Sequence, residues 1–265
     1  MSLRPRPQRR GIPLRTIAPN AITALALCSG LTGVRYAISE NWERAVLMIL
    51  IAALLDGIDG QVARMVRGES KFGAELDSLS DAISFGVAPA LILYLWALMY
   101  APKVGWIVAL LYAVFCALRL ARFNAQIDSD AQPRKLAGFF TGIPAPAGAG
   151  LAMLPLYIWL WSEEPLARSP WIVTPWVACV GLLMVSSLAT YSWKSLRLRR
   201  NVRFEALVVV AIMLAALVSA PWQTLTVICI AYLATLPFSI RAYQRSRVTP
   251  PREVPARRGA GPDAA

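Results

Sequence analysis

The sequence predicts an all-α fold: a polytopic integral membrane bundle of about eight transmembrane helices with both termini in the cytoplasm. Three observations lead there. Of 265 residues, 57% are hydrophobic and 16% charged, and the mean hydropathy of +0.52 lies above that of soluble domains. Apolar runs repeatedly reach the 18 or so residues with which a helix crosses about 30 Å of hydrocarbon. Basic residues gather in alternate connections, as the positive-inside rule requires.

The runs fall near residues 20–38, 45–64, 73–99, 104–124, 140–161, 171–191, 204–220 and 222–240. Segments 1–15, 64–71, 119–135, 194–203 and 241–258 hold 23 of the 27 Lys and Arg residues, and the opposite side keeps only Arg35, Arg44, Lys103 and Arg168. The first run is too long for a signal peptide and lacks a small-residue cleavage site, so it reads as a retained span. Asn20, after Pro19, suits a helix N-cap, with a place in a ligand pocket as the other reading; Thr23 follows three residues on. The second and third runs, joined by the basic loop MVRGESKF, form an antiparallel hairpin over 45–99. WKSLRLRRNVRF, between the sixth and seventh runs, reads as an interfacial anchor, and Trp106, Trp171 and Trp222 as interface belts.

Three parts follow: a basic N-terminal cytoplasmic segment 1–15, a membrane-embedded catalytic domain 16–241, and a basic tail 242–265 whose Pro, Ala and Arg content predicts disorder. The net charge of +12 sits in short clusters beside the spans, which suits anionic headgroups of membrane lipid and argues against nucleic acid as a partner. Cys28, Cys116, Cys179 and Cys229 are scattered one to a span and read as buried apolar filler. Histidine is absent, which excludes Ser-His-Asp chemistry and leaves acid-base work to carboxylates, Lys, Tyr or water.

The informative stretch is DGIDGQVARMVRGESKFGAELDSLSD, residues 56–81. On helices, Asp56 and Asp59 share one face, as do Asp77 and Asp81. Positions equidistant from the turn of a hairpin lie at matching depth, so Asp56 is expected opposite Asp81, Asp59 opposite Asp77, and Arg64 beside Gly73. A carboxylate in hydrocarbon costs about 2.5–3.5 kcal/mol even on the lenient scale, and mutual repulsion adds to that. Arg64 alone cannot neutralise four of them. One or two divalent ions can, and all-oxygen ligands favour Mg²⁺, Mn²⁺ or Ca²⁺. Gly60, Ala63 and Gly73 leave room for a ligand or for close helix packing. A structural ion-pair cluster and an ion or proton pathway are the competing readings of the acids.

Asp56, Asp59, Gly60, Ala63, Arg64, Gly73, Asp77 and Asp81 fill every fixed position of D-x2-D-G-x2-A-R-x8-G-x3-D-x3-D, and the chain therefore resembles the CDP-alcohol phosphatidyltransferase family. The resemblance implies a membrane enzyme that moves a phosphatidyl group from a CDP-linked lipid to an alcohol and releases CMP. It implies Asp56, Asp59, Asp77 and Asp81 as ligands of two divalent ions, Mg²⁺ or Mn²⁺, and Asp81 as the catalytic base. Gly60, Arg64, Ser70 and Gly73 would meet the CDP moiety, Arg64 with the parallel donors that suit a phosphate.

The stretches PNAITALALCSG, ELDSLSDAISFGVAPA, ALRLARFNAQ and GFFTGIPAPAGAG resemble the branch of the family that uses CDP-diacylglycerol and L-serine. The resemblance implies a homodimer in the cytoplasmic (inner) membrane with its active site facing the cytoplasm. Arg119, Arg122 and Asn124 are then candidates for the serine pocket, one arginine pairing with the serine carboxylate; snorkelling anchors or binders of the lipid phosphate are the alternatives. Sibling enzymes that use glycerol phosphate, inositol phosphate or another alcohol are the alternative reading.

Overall fold

In the computed structural model, residues 14–66, 70–101, 103–127, 139–186, 189–191 and 203–248 are described. The order is α1 (Leu14–Ile38), α2 (Trp42–Val66), α3 (Lys71–Asp81), a π-helical turn (Ala82–Val87), α4 (Ala88–Trp96), α5 (Val104–Ile127), β1 (Phe139–Thr141), α6 (Ala145–Ala152), α7 (Leu154–Ser162), α8 (Pro170–Val185), β2 (Ala189–Tyr191), α9 (Arg203–Ser219) and α10 (Pro221–Val248). Short 3-10 turns at Leu98–Tyr100 and Pro165–Arg168 complete it. Among these residues, Ile17–Ile38, Trp42–Met65, Lys71–Trp96 and Val104–Ala125 are long and apolar enough to cross a membrane, and Pro170–Val185, Val208–Ser219 and Pro221–Leu236 are shorter apolar helices.

Several expectations need correction. The expected fifth span is broken at Met153, because Pro155 has no N–H for the Leu151 carbonyl one turn back. The Trp176 indole on α8 donates to that carbonyl instead, at 2.8 Å. The sixth run ends as a helix at Val185 and continues into β2, which pairs antiparallel with β1, Phe140 opposite Thr190. This small ribbon is the one departure from an all-helical fold among the described residues. The last helix runs to Val248, past the expected limit at 241. Of the tail in which disorder is expected, residues 249–265 lie outside the described residues, as do residues 1–13 and most of the 193–204 basic cluster. Cys116 and Cys229 are buried as expected, but Cys28 and Cys179 are exposed on the outer faces of α1 and α8.

The hairpin is also built differently. α2 and α3 scarcely touch along their backbones, and α1 packs against both, as well as against α4. A stripe of small residues thins α1 for this place: Ala26, Gly30, Gly33 and Ala37 recur at helical spacing. A Cβ on Gly33 would come within 3.1 Å of the Ala45 carbonyl of α2, and one on Gly30 within 2.7 Å of the Ser84 hydroxyl. Close backbone approach of this kind replaces the hydrophobic drive that lipid cannot supply. Ser80 and Ser84, four apart, turn inward and donate to the Thr23 and Ala26 carbonyls of α1 at 3.2 and 3.3 Å.

The π-helical turn begins immediately after Asp81, with the Ala88 N–H bonded five residues back to the Ile83 carbonyl. Pro89 again deprives a carbonyl of its helical donor, that of Phe85, and the fully buried Tyr112 of α5 supplies its hydroxyl at 3.0 Å. Such turns recur at functional sites because they re-aim side chains within a continuous helix.

Candidate active site

The last turns of α2 and the body of α3 bring the motif aspartates together beside α1. Carboxylate oxygens of Asp56, Asp59 and Asp77 all lie within 4.8 Å of one another. Asp81 stands one turn beyond Asp77, and its carboxyl group lies beside that of Asp56. The expected pairing of Asp56 with Asp81 is thus present in the geometry, and Asp77 faces both Asp56 and Asp59.

Asp59 is the most enclosed of the four, 4% exposed. Thr23 on α1 holds it: the threonine hydroxyl lies 2.7 Å from Asp59 Oδ2 and 3.1 Å from the Pro19 carbonyl. It has one proton to give, and a charged acceptor at the shorter distance is the stronger partner. Sequence reasoning singled out Thr23 without giving it a role. The signal available was its position one turn into a span that starts with a proline, which is too weak to find a partner 36 residues away.

Asn20 is not an N-cap, because α1 starts at Leu14 and carries Pro19 inside it. Its side chain instead lies over the start of α3, where a Cβ on Gly73 would come within 2.8 Å of Asn20 Oδ1. Gly73 is therefore small because α1 crosses it here. Ser70 caps α3, its hydroxyl accepting from the Gly73 N–H at 3.0 Å. Gly60 differs: a Cβ there would meet nothing within 4 Å. Space lies in front of Gly60, beside the acids, and no packing demand among the described residues explains the glycine. Arg64, on the last turn of α2, is exposed.

The acceptor candidates separate. Arg119 of α5 is turned toward the aspartates and acts on Asp81 through space, while its Nε is buried without a hydrogen-bond partner. Arg122 points the other way and donates to the Val185 carbonyl at the end of α8, 3.1 Å away, where a cation suits the helix terminus. Asn124 donates to the Ser78 hydroxyl at 2.8 Å, tying α5 to the helix that carries Asp77.

Among the described residues, no Lys or Arg forms an ion pair with the four carboxylates. Three acids sharing one small volume, one of them almost wholly enclosed, repel each other unless a cation joins them. The donor set is oxygen only and hence fits a hard divalent ion.

The family model for CDP-alcohol phosphatidyltransferase matches residues 16–190, and a second model, CDP-alcohol phosphatidyltransferase 2, matches residues 201–237. A protein of Mycobacterium tuberculosis named CDP-diacylglycerol–serine O-phosphatidyltransferase is 43% identical over 234 residues, covering 88% of this chain and 81% of its own. Proteins of the same name from Mycobacterium leprae and Helicobacter pylori are 41% and 33% identical, over 91% and 81% of this chain and 79% and 87% of theirs. With the first model spanning well over half of the sequence and relatives of this identity matching along most of both chains, the chain belongs to the CDP-alcohol phosphatidyltransferase family.

Proposed function

We propose that this protein transfers the phosphatidyl group of CDP-diacylglycerol to L-serine, giving phosphatidylserine and CMP. The observation that carries the reading is the set of three carboxylates within 4.8 Å, unpaired with any described cation, on the family's own motif. The shared name of the mycobacterial and Helicobacter relatives supports serine as the acceptor.

Asp56, Asp59 and Asp77, joined by Asp81, would hold two Mg²⁺ or Mn²⁺ ions, which when bound neutralise the diphosphate and the departing CMP oxygen. The rest falls to the chain. The serine hydroxyl oxygen forms a bond to the phosphorus that carries the lipid, the bond from that phosphorus to the CMP oxygen breaks, and Asp81 takes the hydroxyl proton. Arg64 offers paired donors to a phosphate, and the nucleotide lies in the space before Gly60, with Ser70 and Gly73 at its margin. Arg119 faces the acceptor side, and Arg122 and Asn124, which already have partners in the fold, shape that side by holding α8 and α3. In-line displacement needs no enzyme nucleophile; a labelled lipid trapped on the protein without serine would overturn it.

About eight spans, both ends in the cytoplasm, an inner-membrane location with the acids near the cytoplasmic surface, and a homodimer complete the reading. Basic residues beside the motif hairpin support the orientation. The test is CMP release by purified protein given CDP-diacylglycerol with serine, glycerol 3-phosphate or inositol phosphate in turn, with and without EDTA. Release is expected with serine alone and only without chelator. Full activity after exhaustive chelation, or release with another alcohol and not with serine, would overturn the proposal.

A further inference from the structure

Four polar side-chain atoms among the described residues are buried without a hydrogen-bond partner: Trp96 Nε1, Arg119 Nε, Thr174 Oγ1 and Tyr232 OH. Two of them meet. Arg119 on α5 and Tyr232 on α10 lie within electrostatic reach of one another, and Arg119 is within the same reach of Asp81. Neither satisfies the other, so an N–H and a phenolic O–H are held out of water, beside the proton acceptor of the reaction, with nothing to bond. Burying polar groups unpaired is costly, and a site that tolerates two of them together is built for something that arrives later.

The missing partner can be described chemically. A guanidinium N–H can only donate, and a phenol beside it donates most favourably to a negative oxygen. An oxyanion satisfies both. One guanidinium and one neutral hydroxyl balance a single negative charge, which suits a carboxylate better than a phosphate dianion. In a 2-amino-3-hydroxy acid, two carbons separate the hydroxyl oxygen from the carboxylate. A hydroxyl at Asp81 therefore leaves the carboxylate beside the residue next to Asp81, which is Arg119.

We propose that Arg119 and Tyr232 together clamp the carboxylate of the acceptor amino acid, which makes Tyr232 a specificity-determining residue and α10 a wall of the acceptor site. This rests on the serine reading above and extends it to a helix outside the 16–190 match. α10 is positioned for the task by packing against α7 and β2, and by the Cys229 thiol, which lies 3.5 Å from the Gly150 carbonyl.

Tyr232→Phe removes only the hydroxyl. In the CMP-release assay the KM for L-serine should rise roughly tenfold, with the KM for CDP-diacylglycerol unchanged. Discrimination between L-serine and serinol, which lacks the carboxylate, should fall by the same factor. Arg119→Lys keeps the charge and loses the Nε donor, and should move the same constant in the same direction. The thermal transition of the substrate-free Tyr232→Phe protein should hold or rise, because the hydroxyl has no partner to lose; a fall would mark a structural role and overturn the clamp. A rise in KM for CDP-diacylglycerol with serine unaffected would give the oxyanion to the lipid and also overturn it, as would no change in either. Wild-type protein indifferent to serine refutes the serine reading itself, whereas serine-dependent wild type with an unaffected Tyr232→Phe refutes only the clamp.

Discussion

Arg119 lies beside the middle of the α3–α4 segment and Arg168 at its far end, and the chain treats them in opposite ways. Arg168 is partnered within the fold. Its Nε donates to the Trp96 carbonyl at 2.9 Å, closing the end of α4, and its guanidinium lies 5.5–6.0 Å from the ring centres of Trp159, Tyr100 and Trp42. Those rings come from three separate parts of the chain, so one side chain fastens the ends of α2, α4 and α7. Arg119 is turned into the bundle beside the acids and left with an unpaired donor. A cation furnished with acceptor and rings is a fastener; a cation held short of partners next to four carboxylates keeps its capacity for a ligand.

The contrast breaks most visibly at the acids. Asp77→Asn should lower CMP release at least about 10³-fold at saturating serine, since several kcal/mol of charge stabilisation depend on the ligand set. Substrate-free thermal stability should not fall, because a repulsive charge is removed. A variant that stays active with unchanged metal dependence would show that the cluster is an internal polar core like the one around Arg168. A smaller effect is expected one layer out. Thr23→Val keeps the shape of the side chain and removes the donor from Asp59, so the Mg²⁺ or Mn²⁺ concentration for half-maximal activity should rise roughly 10–100-fold, with the kcat at saturating metal much less changed. The smallest effect on turnover should come from Arg168→Ala. Loss of its hydrogen bond and ring contacts should cost about 2 kcal/mol of stability, read as a lower unfolding midpoint in detergent, while the KM for serine stays within about twofold of wild type. A rise in that KM would erase the distinction between the two arginines.

What the sequence disclosed of the site is what a local pattern can hold. Asp56, Asp59, Asp77 and Asp81 are legible because spacing of three and four on a helix, set in apolar runs, has few other meanings, and the loop length alone predicts that Asp56 meets Asp81. Contacts across the bundle leave no such trace. Thr23 against Asp59, Asn20 over Gly73 and Ser80 on the Thr23 carbonyl all depend on α1 lying between α2 and α3, and a hairpin drawn from loop length brings those two helices into direct contact. Arg119 and Arg122 sit three apart and look alike in sequence; only the end of α8 beneath Arg122 separates them. The breaks are half legible: Pro89 and Pro155 announce orphaned carbonyls, but not that Tyr112 and Trp176 would answer them. Tyr232 had no local signal at all.

The widened turn at Ala82–Val87 gives the helix a phase setting. It carries one residue more than an α-helical turn needs, and one residue of an α-helix is worth about 100° of rotation. Were the same residues wound instead as regular α-helix, Asp77 and Asp81 would swing by about that angle relative to Pro89, Trp96 and everything anchored beyond them. The acids would face a different neighbour while each local sequence stayed intact. Spacing within the motif is therefore only half of the specification: the other half is the angular offset stored in the six residues after it.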